Sequence, residues 1–414
     1  VSLGFTVSGS DLCANAQTAR LEKEGVRIYI GHAAENIEGA QKVVVNSAIP
    51  QDNAELAEAR RRKIPVYGRA ELLSLVAGCF THTAAIAGCH GKTTATAMCA
   101  HVLENCTGSC SAHIGGEDLE YGNFYLGGEN YFVTEACEYK GNFLHLHPET
   151  AVILNTDADH LDCYKDEEQL AAAYRIFARN ARAVIACGED KISREVDCVT
   201  FGLGDKCDVS ARNLRSNGGR YSFIPIVRGE TFERIRLNVY GKHNVYNALA
   251  ALTLADHYGF PLPLAAQGLA RFKGIRRRFE LLGTRGGAQY IADYAHHPRE
   301  IISALQTAKE VCGGRLFVIF QPHTYSRTKL LFGDFVSVLS KPENLVIYKT
   351  YAAREFYDEA GSAKTLSQAL PNSLYVEDLH QLQLYLDCSV RAGDTVLFLG
   401  AGDIYFIAQR ILET

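Results

Sequence analysis

At 414 residues, with 47% hydrophobic and 21% charged positions, the chain is too long for one typical core and too apolar to be disordered, so two or three packed domains are expected. A net charge of −5 and a pI near 6.3 argue against nucleic acid or an anionic membrane as the main partner. The longest apolar runs, such as Val396–Leu399, are far too short to span a bilayer.

The 13 cysteines are odd in number and scattered, and several, such as Cys99 and Cys187, fall inside apolar stretches. That pattern fits reduced thiols in a cytoplasmic protein rather than a disulfide framework. No basic-then-apolar leader precedes the first strand pattern, in line with a cytoplasmic location. In chain order, Phe5–Ser8 reads as a strand closing on Ser10 and Asp11. Asn15–Glu24 reads as a helix, Val26–Ile30 and Lys42–Asn46 as strands, Asn53–Arg61 as a helix, Pro65–Tyr67 as a strand and Arg69–Val76 as a helix. This βα alternation predicts a parallel, Rossmann-like first domain over residues 1–80. Asp11, at a strand's carboxyl end, is placed either to bind a ribose hydroxyl or to cap the next helix.

Gly78–Thr83 is the expected hinge into a second domain over 81–275. That domain opens with an apolar strand at Ala84–Ala87, turns through Gly88-Cys89-His90-Gly91 and leaves through Lys92-Thr93-Thr94 into a helix. Backbone N–H groups at a helix start have no intrahelical partner and the helix dipole favours an anion there, so this turn reads as a phosphate site. The match to G-x-x-x-x-G-K-[ST] is partial, since its first glycine would fall at Ile86. Lys92 would reach the terminal phosphates, facing ligand rather than core, and the Thr93 hydroxyl would sit on Mg²⁺. Strand Tyr131–Thr134 delivers Glu135 at its end, and strand Ala151–Leu154 delivers Asn155 through His160. Ligands collect at such strand ends in α/β sheets, which makes Glu135 and His160 candidate Mg²⁺ ligands beside Thr93; the ordinary alternative is a cap or a surface charge. His145 and His147 alternate without a partner at fixed spacing and read as packing or surface residues. Asp208–Val239 turns to period-two alternation around Asn217-Gly218-Gly219, an antiparallel insertion that makes the sheet mixed. In the helix Gly241–Tyr258, Asn244 and Asn247 lie near one face beside His243, and asparagine inside a helix costs propensity, so a functional reading is invited.

A third domain is expected over 276–414, opening at Arg276-Arg277-Arg278. Strand Gln289–Ala292 runs into Asp293 and a helix starting at Pro298. Arg315–Phe320 leads to His323 and Arg327, Leu345–Tyr348 to Tyr351, and Thr395–Leu399 to Gly400–Asp403. This is again a parallel, Rossmann-like pattern with polar loops at successive strand ends. The fold class expected is therefore α/β in three domains: a Rossmann-like N-terminal domain, a central P-loop ATPase with a mixed sheet, and a Rossmann-like C-terminal domain.

Taken together, GSDL, NSAIPQDN, GCHGKTT, EACEYKGNFLHLHP, NTDADHLD, GKHNVYNALAA, FKGIRRRFE, ADYAHHP, QPHTYSRT, YAAREF and LGAGD stand in an order that resembles the Mur ligase family over essentially the whole chain. Within it, EACEY and HTYSRT point to the branch that joins L-alanine to UDP-N-acetylmuramate in peptidoglycan synthesis. The resemblance implies one domain for the UDP-sugar, one for ATP with Mg²⁺, and one for the amino acid. It implies that Gly88, His90, Gly91, Lys92, Thr93 and Thr94 cradle the phosphates and that Thr93, Glu135 and His160 hold metal. His243, Asn244 and Asn247 would contact the nucleotide, with Arg278 and Asp293 reaching it from the C-terminal side. Ser10, Asp11 and Ser47 would meet the UDP-sugar; His323 and Arg327 would meet the amino acid or the muramyl carboxylate. Catalysis would rest on Lys92, His160, His323 and Arg327. Departures are Cys89, Ala95 and Ala292, where the family usually has Thr, Thr and Asp. The family pattern also opens with a strand and a G-x-G-G-x-G turn for the UDP pyrophosphate; this sequence is read as beginning in the helix after it, which predicts a weaker hold on the UDP-sugar. The implied chemistry is amide formation through an acyl phosphate, with His160 or His323 as the group that deprotonates alanine. A ligase remnant that binds UDP-sugar or nucleotide without catalysis, and a P-loop kinase of a small metabolite, are the competing readings.

Overall fold

Three stretches of chain each build their own strands in the computed structural model, which describes residues 1, 4–46, 49–156, 164 and 166–413. In the first stretch β1 (Ser8–Asp11) pairs in parallel with β2 (Arg27–Ile30) across helix α1 (Ala16–Lys23). Asn15 caps α1: its side chain accepts from the Gln17 and Thr18 N–H groups, while the Thr18 hydroxyl takes the Asn15 N–H. β3 (Val43–Val45) pairs in parallel with β4 (Val66–Gly68) across α2 (Ala54–Arg61), capped by Asn53, and α3 (Arg69–Ala77) follows. The expected βα alternation is present, but among the described residues the strands form two separate two-stranded ladders. The first strand also lies later than the apolar run Phe5–Ser8 suggests. Phe5 is exposed, and the ladder pairs Ser8 with Arg27 through Asp11 with Ile30. With no buried face at Phe5, pairing and not burial sets where this strand begins.

The second stretch is one mixed sheet. Its elements are β5 (His82–Ala87), α4 (Lys92–Thr107), β6 (Cys110–Asp118), β7 (Gly122–Leu126), β8 (Tyr131–Glu135), β9 (Thr150–Ile153), α5 (Glu167–Arg179), β10 (Ala183–Cys187) and β11 (Val199–Gly202), then β12 (Val209–Asn217), β13 (Arg220–Val227), β14 (Glu230–Thr231), β15 (Ile235–Tyr240), α6 (His243–His257) and α7 (Leu262–Arg271). The strand order is β14-β13-β12-β11-β10-β9-β5-β8-β6-β7, with β15 on β13. Strands β5, β6 and β8 to β12 run parallel, and the hairpin at Gly218-Gly219 turns the chain into the antiparallel part. The loops after β5, β8, β9 and β10 therefore share one edge. Helix α4 is Ala-rich and buried nearly all round, with Met98, Val102 and Leu103 packed in the main core among α6, α7 and β6. Each such fully buried side chain contributes about 1.5–3 kcal/mol, so the helix carrying the turn Gly88–Gly91 is a fixed base.

The third stretch holds β16 (Glu280–Arg285), β17 (Ala288–Asp293), α8 (Pro298–Val311), β18 (Leu316–Phe320), α9 (Tyr325–Leu330), β19 (Asn344–Tyr348), β20 (Ser373–Val376) and β21 (Thr395–Leu399). Their order is β16-β17-β21-β18-β19-β20, parallel except for β16. Separate cores cover its two faces, one with Ile301 and Phe335, the other with Leu382 and Ile404, which is the doubly wound arrangement expected. Parallel strands put Asp293, His323, Tyr351 and Gly400–Asp403 at one edge.

Candidate active site

Gly88 and Gly91 have φ of 146° and 81°, and both are crowded: a Cβ on Gly91 would sit 2.7 Å from Asn247 Oδ1, and one on Gly88 3.0 Å from Leu154 Cβ. Only glycine serves where the backbone is left-handed and a neighbour is this close. Asn155 then clasps the turn, accepting the His90 N–H at 2.9 Å and donating to the His90 carbonyl at 3.0 Å. Lys92 Nζ donates to the carbonyls of Gly88 (2.6 Å) and Cys89 (3.4 Å) and to Glu138 Oε1 (3.0 Å). Burial works to lower the ammonium's pKa, but the Glu138 and Glu135 carboxylates outweigh it and hold it above the usual lysine range. The lysine thus carries a full charge at the mouth of the turn while resting on protein partners, not simply facing solvent. The Thr93 hydroxyl donates to Glu135 Oε2 at 2.9 Å.

Helix α6 supplies the next wall. Asn247 and Asn244 are both buried; Asn247 donates to Asn244 Oδ1 at 2.8 Å, and Asn244 donates to the Tyr240 carbonyl at 2.7 Å. The protein packed around the ring first, then the charges of Arg278 and His90, push the His243 imidazole down to about 4, so it is neutral at pH 7, although the residue stays exposed to solvent at the start of α6. Arg278 belongs to the linker between α7 and β16, where Arg277 and Phe279 have left-handed φ of 61° and 49°. Its guanidinium lies over the Tyr294 ring, 5.3 Å from the centroid. Asp293 accepts the Phe279 and Ala295 N–H groups, each at 2.8 Å. Burial raises its carboxyl to about 6 despite the opposing pull of Arg278 and these N–H donors.

One cleft of about 690 Å³ joins these groups. His90 to Thr94, Glu135 and Glu138 line it on the central side with Asn155, His243, Asn244 and Asn247; Arg278, Asp293, Arg299 and Glu300 line it from the C-terminal side. Further along that side, Arg327 Nη1 donates to His323 Nδ1 at 3.2 Å. The His323 ring stacks on Tyr351 and lies 5.8 Å from the ring of His296, which pairs with Glu300 at 3.3 Å. Burial, His296 and Arg327 together push His323 down to about 4. A guanidinium can only donate, so His323 is held neutral with Nδ1 as acceptor.

Three family models match in sequence order: the family's catalytic-domain model at residues 1–81, its middle domain at 86–255 and its glutamate ligase domain at 277–402. The chain is 39% identical to the UDP-N-acetylmuramate–L-alanine ligase of Caldanaerobacter subterraneus subsp. tengcongensis over 99% of its own length and 92% of that protein. It is equally 39% identical to the one from Clostridium novyi, with the same coverage. It superposes on the crystal structure of the Thermotoga maritima UDP-N-acetylmuramate–alanine ligase with a TM-score of 0.85 at 31% identity, covering 100% of this chain and 94% of that one. The chain belongs to the Mur ligase family. A murein peptide ligase from Psychrobacter arcticus, at 24% identity and TM-score 0.73, shares the fold.

In this Mur ligase the cleft gathers His90, Gly91, Lys92, Thr93, Thr94, Glu135, His243, Asn244, Asn247, Arg278 and Asp293 of the residues singled out from sequence. Gly88 shapes the turn from behind without lining the cleft, and His323 and Arg327 stand in an adjoining cluster. His160 and Ser47 lie outside the described residues. Ser10 and Asp11 are on β1, away from the cleft lining. Ser10 donates to Glu55 Oε2 at 2.8 Å, and Asp11, exposed, accepts the Cys13 N–H at 3.2 Å. Asp11 does not cap α1, since Asn15 does. Thr93 and Glu135 offer oxygen donors of the kind Mg²⁺ takes, and among the described residues no three His, Cys, Asp or Glu side chains cluster into a metal cage. The sequence reading missed Glu138, His296 and Glu300. Glu300 carries a readable signal, the reciprocal cap it makes with His297 at the start of α8; Glu138 falls inside the EACEY stretch, but nothing there marks it as the partner of Lys92.

Proposed function

We propose that this Mur ligase joins L-alanine to the carboxylate of UDP-N-acetylmuramate at the expense of ATP, in peptidoglycan precursor synthesis. The observation that carries the reading is the facing of Lys92, Thr93 and Glu135 by Arg278 and Asp293 across one cleft, in a chain alike over its full length to ligases of that name. Lys92 and the N–H groups of the turn bind the terminal phosphates and take up charge as the γ-phosphoryl passes to the muramyl carboxylate, giving an acyl phosphate and ADP. Thr93 and Glu135, with His160, would hold a Mg²⁺, which when bound neutralises phosphate charge. His243, neutral, with Asn244 and Asn247, orients the nucleotide, and Arg278 and Asp293 close on it from the other side. Arg327 pairs with a carboxylate through its fork of donors. His323 keeps that guanidinium aimed; a base with a pKa of about 4 holds a proton too weakly to be the main acceptor near pH 7. Alanine's free amine then attacks the acyl carbon, the C–O bond to phosphate breaks, and the proton given up by the nitrogen leaves with the phosphate.

The test is ADP formation by the purified chain with each substrate omitted in turn. Turnover that needs both UDP-N-acetylmuramate and L-alanine supports the reading. Nucleotide binding without turnover would make the chain a ligase remnant, and a phosphorylated product without amide would make it a kinase.

A further inference from the structure

Glu138 stands three residues beyond Glu135, where β8 has ended, and only 1% of it is exposed. Its backbone is pinned: the Tyr164 hydroxyl and the Gly141 N–H both donate to its carbonyl, at 2.7 and 2.9 Å. Its carboxylate meets the Lys92 ammonium at 3.0 Å, and the Lys92 side chain is itself only 11% exposed. An ammonium has three N–H donors, and Lys92 directs its contacts at Gly88, Cys89 and Glu138. A lysine that swung out to reach phosphate would leave a buried carboxylate without this counter-charge, which is costly. The less costly arrangement is for the phosphates to come to the ammonium while it stays on Glu138.

We propose that Glu138 is a positioning residue for phosphoryl transfer. It anchors the Lys92 ammonium at the mouth of the turn, giving up a rotatable donor to the fixed carboxylate. It also removes one unit of positive charge from the place where the polyphosphate binds. The two effects fall on different states. The lost charge weakens nucleotide binding in the ground state, whereas the fixed ammonium is in place when the transferred phosphoryl spreads its charge. Interactions that favour the transition state over the ground state raise turnover. The inference rests on reading the turn Gly88–Gly91 as the ATP site.

The experiment compares ATP affinity and turnover in the full-length chain and in Glu138→Gln and Glu138→Asp. Removing the carboxylate charge in Glu138→Gln should tighten ATP by ~3-fold or more and lower kcat by ~10-fold or more. Glu138→Asp keeps the charge but falls short of Lys92, so kcat should fall with no gain in ATP affinity. A merely structural role would weaken ATP binding and kcat together. A folded Glu138→Gln chain whose ATP affinity is unchanged or weaker, or whose kcat stays within ~3-fold of the parent, overturns the proposal. If Glu138→Gln does not fold, thermal melting of Lys92→Met and Lys92→Met/Glu138→Gln decides. The double variant should recover at least half of the single variant's loss in Tm, and no recovery overturns the pairing. A parent chain that binds no ATP would overturn the reading of the turn itself, an outcome distinct from any of these.

Discussion

The two walls of the cleft are held in different ways. On the central wall, charged groups are paired at short range within their own stretch of chain: Lys92 with Glu138, Thr93 with Glu135, the turn with Asn155. On the C-terminal side the groups are partly buried with incomplete compensation, so that Asp293 rises to about 6 and His323, in the adjoining cluster, falls to about 4. A paired wall is prepared for ligand before ligand arrives. A wall of displaced pKa values waits for the charges that nucleotide and amino acid bring. We read the contrast as phosphate chemistry at the first wall and amino-acid recognition at the second.

The largest predicted effect breaks the central wall. Lys92→Met should lower kcat by ~10²-fold or more, the scale on which single transition-state donors act, and should also lower the melting temperature because Glu138 loses its counter-charge. Steady-state rates and calorimetry on the same sample check both halves. Next, Arg327→Lys on the C-terminal wall should raise the KM for L-alanine by ~10- to 100-fold, since a hydrogen bond to a charged group is worth ~1.5–3 kcal/mol, while ATP affinity measured by titration calorimetry stays unchanged. If ATP binding falls equally, the division of labour between the walls fails.

Acid should act through the histidines whose pKa the fold lowers. His243 binds a proton near pH 4 when folded and near 6.5 when unfolded, so between those values the unfolded chain holds more protons and stability rises with pH. Lowering pH from 6.5 to 4 therefore removes some stability at this residue, a small effect because His243 is solvent-exposed and its charge is screened. Asp293 runs the other way: its raised pKa gives the folded chain the extra proton between about 4 and 6, so its contribution to stability grows as pH falls. The histidine effect should predominate, because His113 and His323 share its direction. Denaturant titrations across that range in the parent chain and in His243→Gln should show a shallower slope in the variant. The smallest effect is acceptor choice: L-alanine over glycine or serine by only ~1–3 kcal/mol in kcat/KM, the worth of one methyl-sized pocket. A preference for D-glutamate or a peptide would contradict the reading of Arg327 and His323.

How much of this was readable in the sequence follows from how local each feature is. The turn Gly88–Gly91 is legible because strand, glycines and helix start are adjacent in the chain. Asn244 and Asn247 are legible because asparagine is out of place inside a helix, and they do make a buried polar pair. Glu138 lies in a stretch the sequence singles out, EACEY, but its role is not legible there, because it depends on Lys92, 46 residues earlier. Ser10 is likewise bound to Glu55, 45 residues away, which its motif does not foretell. Strand ends such as Asp293 are found from the alternation of elements. The burial that raises that carboxyl comes from tertiary packing that includes the linker, whose Phe279 N–H it accepts, and no periodicity encodes it.

Phosphate chemistry at the central wall is expected to act on a carboxylate held between the walls. Labelling both carboxylate oxygens of UDP-N-acetylmuramate with ¹⁸O and analysing the inorganic phosphate released on ligation tests it. An acyl phosphate hands one carboxylate oxygen to the phosphate when the amine displaces it, so each phosphate released should carry one ¹⁸O. Unlabelled phosphate would mean that water or another group takes the γ-phosphoryl, and the acyl-phosphate reading of this cleft would be wrong.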